Sequence, residues 1–449
     1  MSRAFDSMLV RSVCAILFVF ALGAAQATLS RSGSNTGRAV VELKSGASIE
    51  DFCSRNGLKL IDSIQGSALL VEGDAATLAQ AAADDAIAST EPDLPVALSE
   101  TAILNPAVLA LLNPDMVNLL KDPAVVSTGR NLLRKSMVTQ RGLDKIKADD
   151  ARALADGSGI LVAVLDTGID ATHPALLGSS VPGFNFMTGD TNTDELLDLP
   201  PLTIEALRTS ASLNPAVLAL LNPSTVAFLN PAALEFLKAP PLYFGHGTLV
   251  SGLIHLIAPG ALILPVRVFD ASGISSSFRI AKAIRYAVDS GAQVVNMSFD
   301  MEQLSPLVSE ALDYAADRGV ILVASVGNRN SVVSSTFPAS HRAVLGVAAT
   351  NREDLKARFS NYGSAVKVAA PGDGLISTYP AGLYAGIGGT SFAAAVVSAE
   401  AALIRSKSTA PAADIVRRIL DTAESIADLN PGMYLGAGRI NARDSLRRR

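Results

Sequence analysis

The sequence predicts an α/β protein in which a parallel sheet with helices on both faces is preceded by a small α+β domain. From about Met137 to the C-terminus, continuous apolar runs of strand length alternate with helical stretches, which is typical of parallel strands covered on both faces. Between Arg38 and about Asp93, shorter strand and helix patterns alternate and predict the small domain. Of the 449 residues, 49% are hydrophobic and 18% are charged, so the chain can bury a large core.

Composition and charge exclude several classes of function. The formal net charge of −5 argues against broad nucleic-acid binding, because such binding requires a basic surface. Cys14 and Cys53 are the two cysteines of the chain, too few for a disulfide framework or a zinc site. The composition is therefore that of a globular protein stabilised by its core.

Residues 1–27 have the pattern of a secretory signal peptide. Arg3 and Arg11 precede an apolar run at 13–22, and a small-x-small cleavage pattern ends at Ala27. The run has about ten residues, too short to cross a hydrocarbon core of ~30 Å as a permanent anchor. We therefore expect export to a secreted, periplasmic or cell-envelope location. An uncleaved anchor and a buried helix are the alternatives.

The small domain is predicted over residues 28–97. Alternating apolar residues indicate strands, and two stretches, one of them Ala-rich, indicate helices. The predicted strands are 39–43, 58–61, 68–71 and 86–90, and the predicted helices are 48–56 and 75–83.

Residues 98–136 form a predicted linker that contains an unusual repeat. Leu104–Pro114 reads LNPAVLALLNP, and Leu213–Pro223 has the same eleven residues. Asn followed by Pro is a strong helix-start signal, so both arrays are predicted to be strings of two-turn helices. They are either an apolar arm that contacts a membrane or a partner, or duplicated low-complexity sequence packed on the host domain or poorly ordered.

The larger domain, residues 137–449, supplies the strands of the parallel sheet. Its apolar runs are too continuous for strands with one solvent-exposed face. In such sheets, chemistry lies at the carboxyl ends of the strands. The predicted strands are 160–165, 262–268, 293–297, 320–326 and 344–348, and the predicted helices include 278–290 and 304–318.

Four polar residues fall at strand ends or helix starts of this domain. Asp166 follows the first strand, His246 opens a helix, Asn328 follows a central strand, and Ser391 opens an Ala-rich helix. A serine nucleophile needs a base, and the base needs a carboxylate that orients it. The developing oxyanion needs fixed donors such as a side-chain amide. Singly, each could be a turn residue, a helix cap or a core side chain, but together they supply every role.

The sequence around these residues resembles the subtilase family of subtilisin-like serine peptidases. AVLDTGIDATHP, FGHGTLVSG, SVGN and GGTSFAAA resemble its Asp, His, oxyanion and Ser blocks, and the resemblance extends over about 137–443. It implies that Ser391 is the nucleophile, His246 the general base, Asp166 its orienting carboxylate and Asn328 the oxyanion donor. The implied substrate-binding residues are Ser298, Phe299, Asp300, Ser325, Val326 and Gly327.

The resemblance also implies a precursor organisation. Residues 28–97 resemble the family's propeptide, which acts as an intramolecular inhibitor and folding chaperone. The implied function is that of an exported serine endopeptidase that acts on proteins or peptides after cleavage of the prosegment between Ser99 and Ser136. Two alternatives stay open: a non-catalytic binding or scaffold protein of the same fold, and a peptidase weakly associated with the cell envelope through its apolar repeats.

Several positions depart from the family pattern. Phe392 and Leu249 change the packing near the nucleophile and the base without removing a catalytic group. Asp300 stands where glycine is common, and its carboxylate either favours basic side chains in the primary specificity pocket or is simply solvated. Ala175 replaces an acidic calcium ligand of the family. No hard-oxygen cluster is visible, so no metal or cofactor is predicted.

The spacing between Asp166 and His246, 80 positions, is longer than the family norm. The insertion, at about 190–240, contains the second repeat array and precedes the helix that begins near His246. It is therefore predicted to lie at the rim of the cleft, as a lid or exosite that restricts substrates.

Overall fold

The computed structural model describes residues 36–65, 68–98, 125–128, 131–209 and 242–448. The predicted signal peptide, both copies of the eleven-residue repeat and most of the insertion lie outside the described residues. The described chain forms two compact units. The first comprises the described residues up to Pro95 together with Ser276–Lys282 and Ser305–Glu310, and the second comprises the rest.

The first unit is built on a four-stranded antiparallel sheet in the order β2-β3-β1-β4. Ser48 caps the first helix, α1, by accepting a hydrogen bond from the Asp51 amide at 3.2 Å. The two helices bury Phe52 and Leu78 against the sheet residue Val71. The elements are β1 (Thr36–Leu43), α1 (Ile49–Arg55), β2 (Lys59–Ile64), β3 (Ala68–Asp74), α2 (Ala75–Ala81) and β4 (Ile87–Pro92).

Two acidic residues at the end of β4 cap helix N-termini within the first unit. Glu91 accepts hydrogen bonds from Ser305 Oγ at 2.7 Å and from the Leu307 amide at 3.3 Å. Asp93 accepts one from the Phe278 amide at 3.0 Å. Helix N-termini favour negative charge, while burial raises the pKa of both carboxyl groups.

The second unit contains a seven-stranded parallel sheet in the order β16-β15-β14-β12-β8-β10-β9. The predicted parallel architecture is confirmed, and all five predicted strands are present. Two short edge strands, β9 and β16, were not predicted. The strands are β8 (Leu161–Asp166), β9 (Phe184–Asn185), β10 (Leu262–Arg267), β12 (Val294–Met297), β14 (Ile321–Ser325), β15 (Val344–Thr350) and β16 (Val368–Pro371).

Helices cover this sheet, and two of them bring polar residues to its carboxyl edge. Helix α7 begins at His246, and helix α10 begins at Thr390; both pack into the main core. The helices are α3 (Lys135–Val138), α4 (Arg141–Lys145), α5 (Ala148–Arg152), α6 (Pro201–Thr209), α7 (His246–Ile257), α8 (Ser277–Asp289), α9 (Pro306–Asp317), α10 (Thr390–Lys407), α11 (Ala412–Thr422) and α12 (Ala442–Arg447). In the described ranges, no helix combines the length and apolar character needed to span a bilayer.

Smaller strand pairs complete the fold. β5 (Pro95–Leu98) lies between β11 (Ile274–Ser276) and β13 (Phe299–Asp300) in a three-stranded sheet. β17 (Asp373–Tyr379) and β18 (Leu383–Gly388) form an antiparallel hairpin. A second hairpin, of β6 (Val125–Thr128) and β7 (Asn131–Arg134), lies inside the predicted linker, for which the sequence predicts helical repeats and no strands.

Candidate active site

Asp166 and His246 form a fully buried pair at the carboxyl edge of the sheet. Asp166 is the last residue of β8, and His246 is the first residue of α7. His246 Nδ1 lies 2.7 Å from Asp166 Oδ1, and both side chains are 0% exposed. Gly245 enters the helix at φ +87°, where a Cβ would lie 2.6 Å from the Tyr379 ring. A larger residue would clash at this position, so glycine allows the chain to turn there and bring His246 to Asp166.

Ser391 lies in the first turn of α10 at the same edge of the sheet. Its Oγ donates a hydrogen bond to the Ser298 carbonyl at 3.2 Å. The ring of the next residue, Phe392, lies 5.5 Å from the His246 ring, which places the start of α10 beside the imidazole. In the described part of the chain, His246 Nε2 has no hydrogen-bond partner, so the serine and the histidine are not hydrogen-bonded in this structure.

Asn328 is anchored to the start of the same helix. Its Oδ1 accepts hydrogen bonds from the Thr390 amide and the Thr390 hydroxyl, each at 2.9 Å. This contact fixes the orientation of the side-chain amide through its oxygen. Gly327 precedes it at φ +92°, a backbone conformation that favours glycine.

The predicted substrate-binding residues form two adjacent walls. The first wall is the segment 298–300, which starts at Ser298 and contains β13. Its residues Phe299 and Asp300 pair antiparallel with Leu98 and Ala97. The second wall is the end of β14 and the loop after it, with Ser325, Val326 and Gly327.

The strand β5 shows how an extended chain fits beside the first wall. The Leu98 amide donates to the Gly273 carbonyl at 2.9 Å, and the Tyr243 hydroxyl donates to the Leu98 carbonyl at 3.0 Å. Together with the pairing to β13, these bonds hold the chain from both sides as the central strand.

Asp300 joins the two walls through an ion pair with Arg329, which directly follows Asn328. The Asp300 side chain is 6% exposed and that of Arg329 is 53% exposed. The Asp300 carboxylate also lies over Gly327, where a Cβ would be 3.2 Å from its Oδ2. Of the two alternatives for Asp300, a simply solvated carboxylate is wrong, because the group is buried and paired.

Glu195 lies at the candidate site although the sequence does not predict it there. It begins the 3₁₀ helix Glu195–Asp198 in the first part of the insertion and is 1% exposed. Its carboxylate accepts hydrogen bonds from Thr167 and from the first turn of α7. Burial, with the charge of Asp166, raises its pKa to about 7, although the threonine hydroxyls lower it. An acidic residue inside an insertion carries no sequence signal for such a position.

Metal ligands are not assembled among the described residues. No group of three or more His, Cys, Asp or Glu side chains in those ranges could hold a metal ion. Ala175, at the position of the family's acidic calcium ligand, is buried and apolar. The residues at that position do not fit a calcium ion.

A doubly covered parallel sheet that carries an Asp–His pair and a helix-borne serine at its carboxyl edge defines a serine peptidase of the subtilisin type. The model of the subtilase family matches residues 157–438, more than half of the chain. The chain therefore belongs to the subtilase family.

Comparison with individual proteins agrees with this assignment. The chain is 32% identical over 313 residues to thermitase from Thermoactinomyces vulgaris, covering 68% of this chain and 94% of thermitase. It is 30% identical over 377 residues to an alkaline protease from Alkalihalobacillus alcalophilus, covering 81% of this chain and 85% of the relative. The solved structure of fervidolysin, a keratinolytic enzyme from Fervidobacterium pennivorans, is similar in fold, with a TM-score of 0.66 at 24% identity. That match covers 93% of this chain and 62% of fervidolysin.

Proposed function

We propose that this protein is an exported serine endopeptidase that hydrolyses peptide bonds through an acyl-enzyme on Ser391. The observation that carries the proposal is the buried hydrogen bond of 2.7 Å between His246 Nδ1 and Asp166 Oδ1. An imidazole that donates its Nδ1 proton to a carboxylate presents Nε2 as the basic nitrogen. The start of α10, which carries Ser391, lies beside this imidazole, with the Phe392 ring 5.5 Å from it.

The serine must turn before it can react. Its Oγ is bonded to the Ser298 carbonyl in this structure, and rotation about χ1 is the movement that directs it to His246 Nε2. Hydrogen bonds of this kind tighten when substrate is bound, so the resting geometry is compatible with the role.

In the first half of the reaction, Ser391 Oγ attacks the scissile carbonyl carbon while His246 Nε2 takes the hydroxyl proton. Negative charge develops on the carbonyl oxygen, and the Asn328 amide and the backbone N–H at the start of α10 supply fixed donors for it. The C–N bond then breaks, and the imidazolium gives its proton to the departing amine. Asp166 stabilises the imidazolium throughout this half-reaction.

Water completes the reaction. His246 takes a proton from a water molecule, whose oxygen attacks the acyl carbon of the ester on Ser391. The tetrahedral intermediate collapses to the free carboxylic acid, and the proton returns to Ser391 Oγ.

The substrate is an extended peptide, and residues 28–97 serve as a propeptide that inhibits the enzyme in the same chain. The position of Val96–Leu98 between β11 and β13 supports both statements, because an extended chain there occupies the groove that leads to Ser298 and Ser391. The proposed cleavage falls between Ser99 and Ser136.

Fluorophosphonate labelling tests the catalytic assignment. The wild-type protein is expected to label at Ser391, and Ser391→Ala is expected to abolish labelling. Ser290→Ala, at an exposed serine in the turn after α8, is the matched control and should label like the wild type. A folded wild-type protein that neither labels nor cleaves peptides would contradict the proposal and favour a binding or scaffold role.

Intact-mass analysis tests the precursor organisation. The wild-type chain should lose its N-terminal segment, whereas the Ser391→Ala protein should retain it. Export, and weak envelope association through the repeats, are tested by fractionation followed by salt and detergent washes. Recovery of all the protein in the cytoplasm would contradict export, and its absence from the washed envelope would contradict the association.

A further inference from the structure

The described start of the insertion is tied to the catalytic edge of the sheet by several polar contacts. The Ile169 amide donates to the Thr193 carbonyl at 2.9 Å. Arg267 donates to the Asp194 carbonyl at 3.0 Å and pairs with Asp198 at 2.5 Å. These contacts fix the 3₁₀ helix on both sides of Glu195, so its carboxylate is held in a defined place.

The Glu195 carboxylate accepts four hydrogen bonds. Oε1 accepts from the Thr167 hydroxyl and from the Gly247 amide at 3.1 Å. Oε2 accepts from the Thr248 hydroxyl and from the Thr248 amide at 3.1 Å. Two of the donors are first-turn amides of α7, the helix that begins at His246, and such amides have no acceptor within the helix. The ionised carboxylate therefore acts as a cap of the histidine-bearing helix.

Thr167 connects this cap to the catalytic aspartate. The Thr167 hydroxyl oxygen accepts a hydrogen bond from the Gly247 amide at 2.9 Å, so its single proton has to be donated elsewhere. Two acceptors lie within reach, Glu195 Oε1 and, at 3.3 Å, Asp166 Oδ1. The same Asp166 oxygen also receives the His246 Nδ1 proton and, at 2.8 Å, the Thr167 amide.

We propose that Glu195 is a positioning residue for the catalytic pair: its ionised carboxylate holds the Thr167 hydroxyl proton away from Asp166 Oδ1. The Asp166 carboxylate then stabilises the His246 imidazolium more strongly. When Glu195 loses its charge, Thr167 donates to Asp166 Oδ1, and the imidazole becomes a weaker base. This inference deepens the proposed function, because the base it tunes is the one assigned to Ser391.

The titratable groups around Glu195 are compatible with this positioning role. Burial raises the pKa of the Tyr379 phenol, so that neighbour is neutral, whereas the carboxyl of Glu195, with its pKa raised to about 7, changes charge in the neutral range. The titratable and charged groups around Glu195 are Asp166 on β8, His246 on α7, Tyr379 on β17, Arg267 on β10, and Asp194 and Asp198 beside it in sequence.

Glu195→Gln tests the proposal with little change in shape. The NH₂ group of the Gln can donate to the Thr167 oxygen, because the Gly247 amide occupies only one of the two lone pairs of that oxygen. The Thr167 proton is then directed to Asp166. We expect the midpoint of the His246 titration to fall by about half a pH unit to one unit, and the acid limb of the kcat/KM profile to move to lower pH by the same amount.

Two measurements keep this test separate from the test of the proposed function. The His246 titration is followed by the low-field Nδ1 proton resonance of the full chain carrying Ser391→Ala, which requires no activity. The pH profile is measured on active protein with a peptide substrate. If the wild type proves inactive but the titration still shifts, the proposed function fails and the role of Glu195 stands.

Control variants distinguish an effect of Glu195 on the basicity of His246 from simple capping of α7. Glu195→Asp retains the charge and should restore most of the wild-type titration. Asp190→Asn removes a charge from an exposed position in the same segment and should leave it unchanged. An equal loss of activity at every pH with an unshifted titration would show a purely structural cap and overturn the proposal.

A second variant covers the case in which Glu195→Gln does not fold. Thr167→Val removes the hydroxyl proton that either carboxylate can accept, while Glu195 stays charged. The His246 titration should then stay at or above the wild-type midpoint, and a fall would also overturn the proposal.

Discussion

Glu400, in the helix that carries Ser391, makes a quantitative prediction about stability and pH. The side chain is fully buried, and in the described ranges neither carboxylate oxygen has a hydrogen-bond partner. The nearby Ser445 hydroxyl donates to the Ala442 carbonyl at 3.0 Å. Burial raises the pKa of Glu400 from 4.5 to about 8, an effect that Ser445 offsets only in part.

A carboxyl group with a raised pKa in the folded state makes the protein less stable as pH rises. Below about pH 4.5, the group is neutral in both folded and unfolded chains and contributes no pH dependence. Between that pH and about 8, the unfolded chain ionises and the folded chain does not, so the free energy of unfolding falls. At ~1.4 kcal/mol per pH unit, the loss amounts to about 4 to 5 kcal/mol by pH 8.

Glu400→Gln should remove this loss, because an amide does not titrate. Any constant cost of burying the amide cancels when the variant and its parent are compared at two pH values. The expected result is that the variant gains about 4 kcal/mol relative to its parent between pH 5 and pH 8.

The assay is urea unfolding of the two proteins at both pH values, each carrying Ser391→Ala to prevent self-digestion. Asp317→Asn, at an exposed carboxylate in α9, is the matched control and should change little. Parallel pH dependences for Glu400→Gln and its parent would refute the assignment of a neutral buried acid.

Three further predictions concern the site. Asp166→Asn should fold normally but lower kcat by a factor on the order of 10⁴ in peptide hydrolysis, and a near-wild-type rate would contradict its role. Arg329→Gln should remove the guanidinium that pairs with the Asp300 carboxylate and increase the preference for Lys or Arg at the cleaved bond about tenfold, measured with a peptide library; an unchanged preference would show that Asp300 does not face the pocket. Gly168→Ala, at φ +120° with a backbone oxygen 2.3 Å from the new Cβ, should lower the thermal midpoint strongly, while Gly178→Ala, at φ +71° in open space, should cost about 1 kcal/mol. Equal losses for the two glycine variants would contradict the steric argument.

The sheet was predictable because doubly buried strands must be apolar along their whole length. The five predicted strands coincide with runs in which neither face can tolerate polar residues. β9 has only two residues, and β16 is the short sequence VAAP, so neither produces a distinctive run. Their place in the sheet depends on tertiary pairing alone.

The candidate site was predictable where function places a residue beside glycine at an element boundary. His246 lies between two glycines, Asp166 and Ser391 each lie two residues from one, and the structure brings the three to one edge. Glu195 and Arg329 lack it, because their roles depend on which side chain the fold places opposite them. Pairings of this kind cannot be derived from spacing.

The anchoring of the insertion has a consequence for protein engineering. A truncation that starts at Leu196 would remove the apolar side chains of Leu196 and Leu199 from the main core and deprive Arg267 of the Asp198 carboxylate. A chimera that exchanges this segment between relatives should therefore be joined after Leu199. Joined earlier, it would disturb the contacts of Glu195 with the first turn of α7 together with the loop that it was meant to replace.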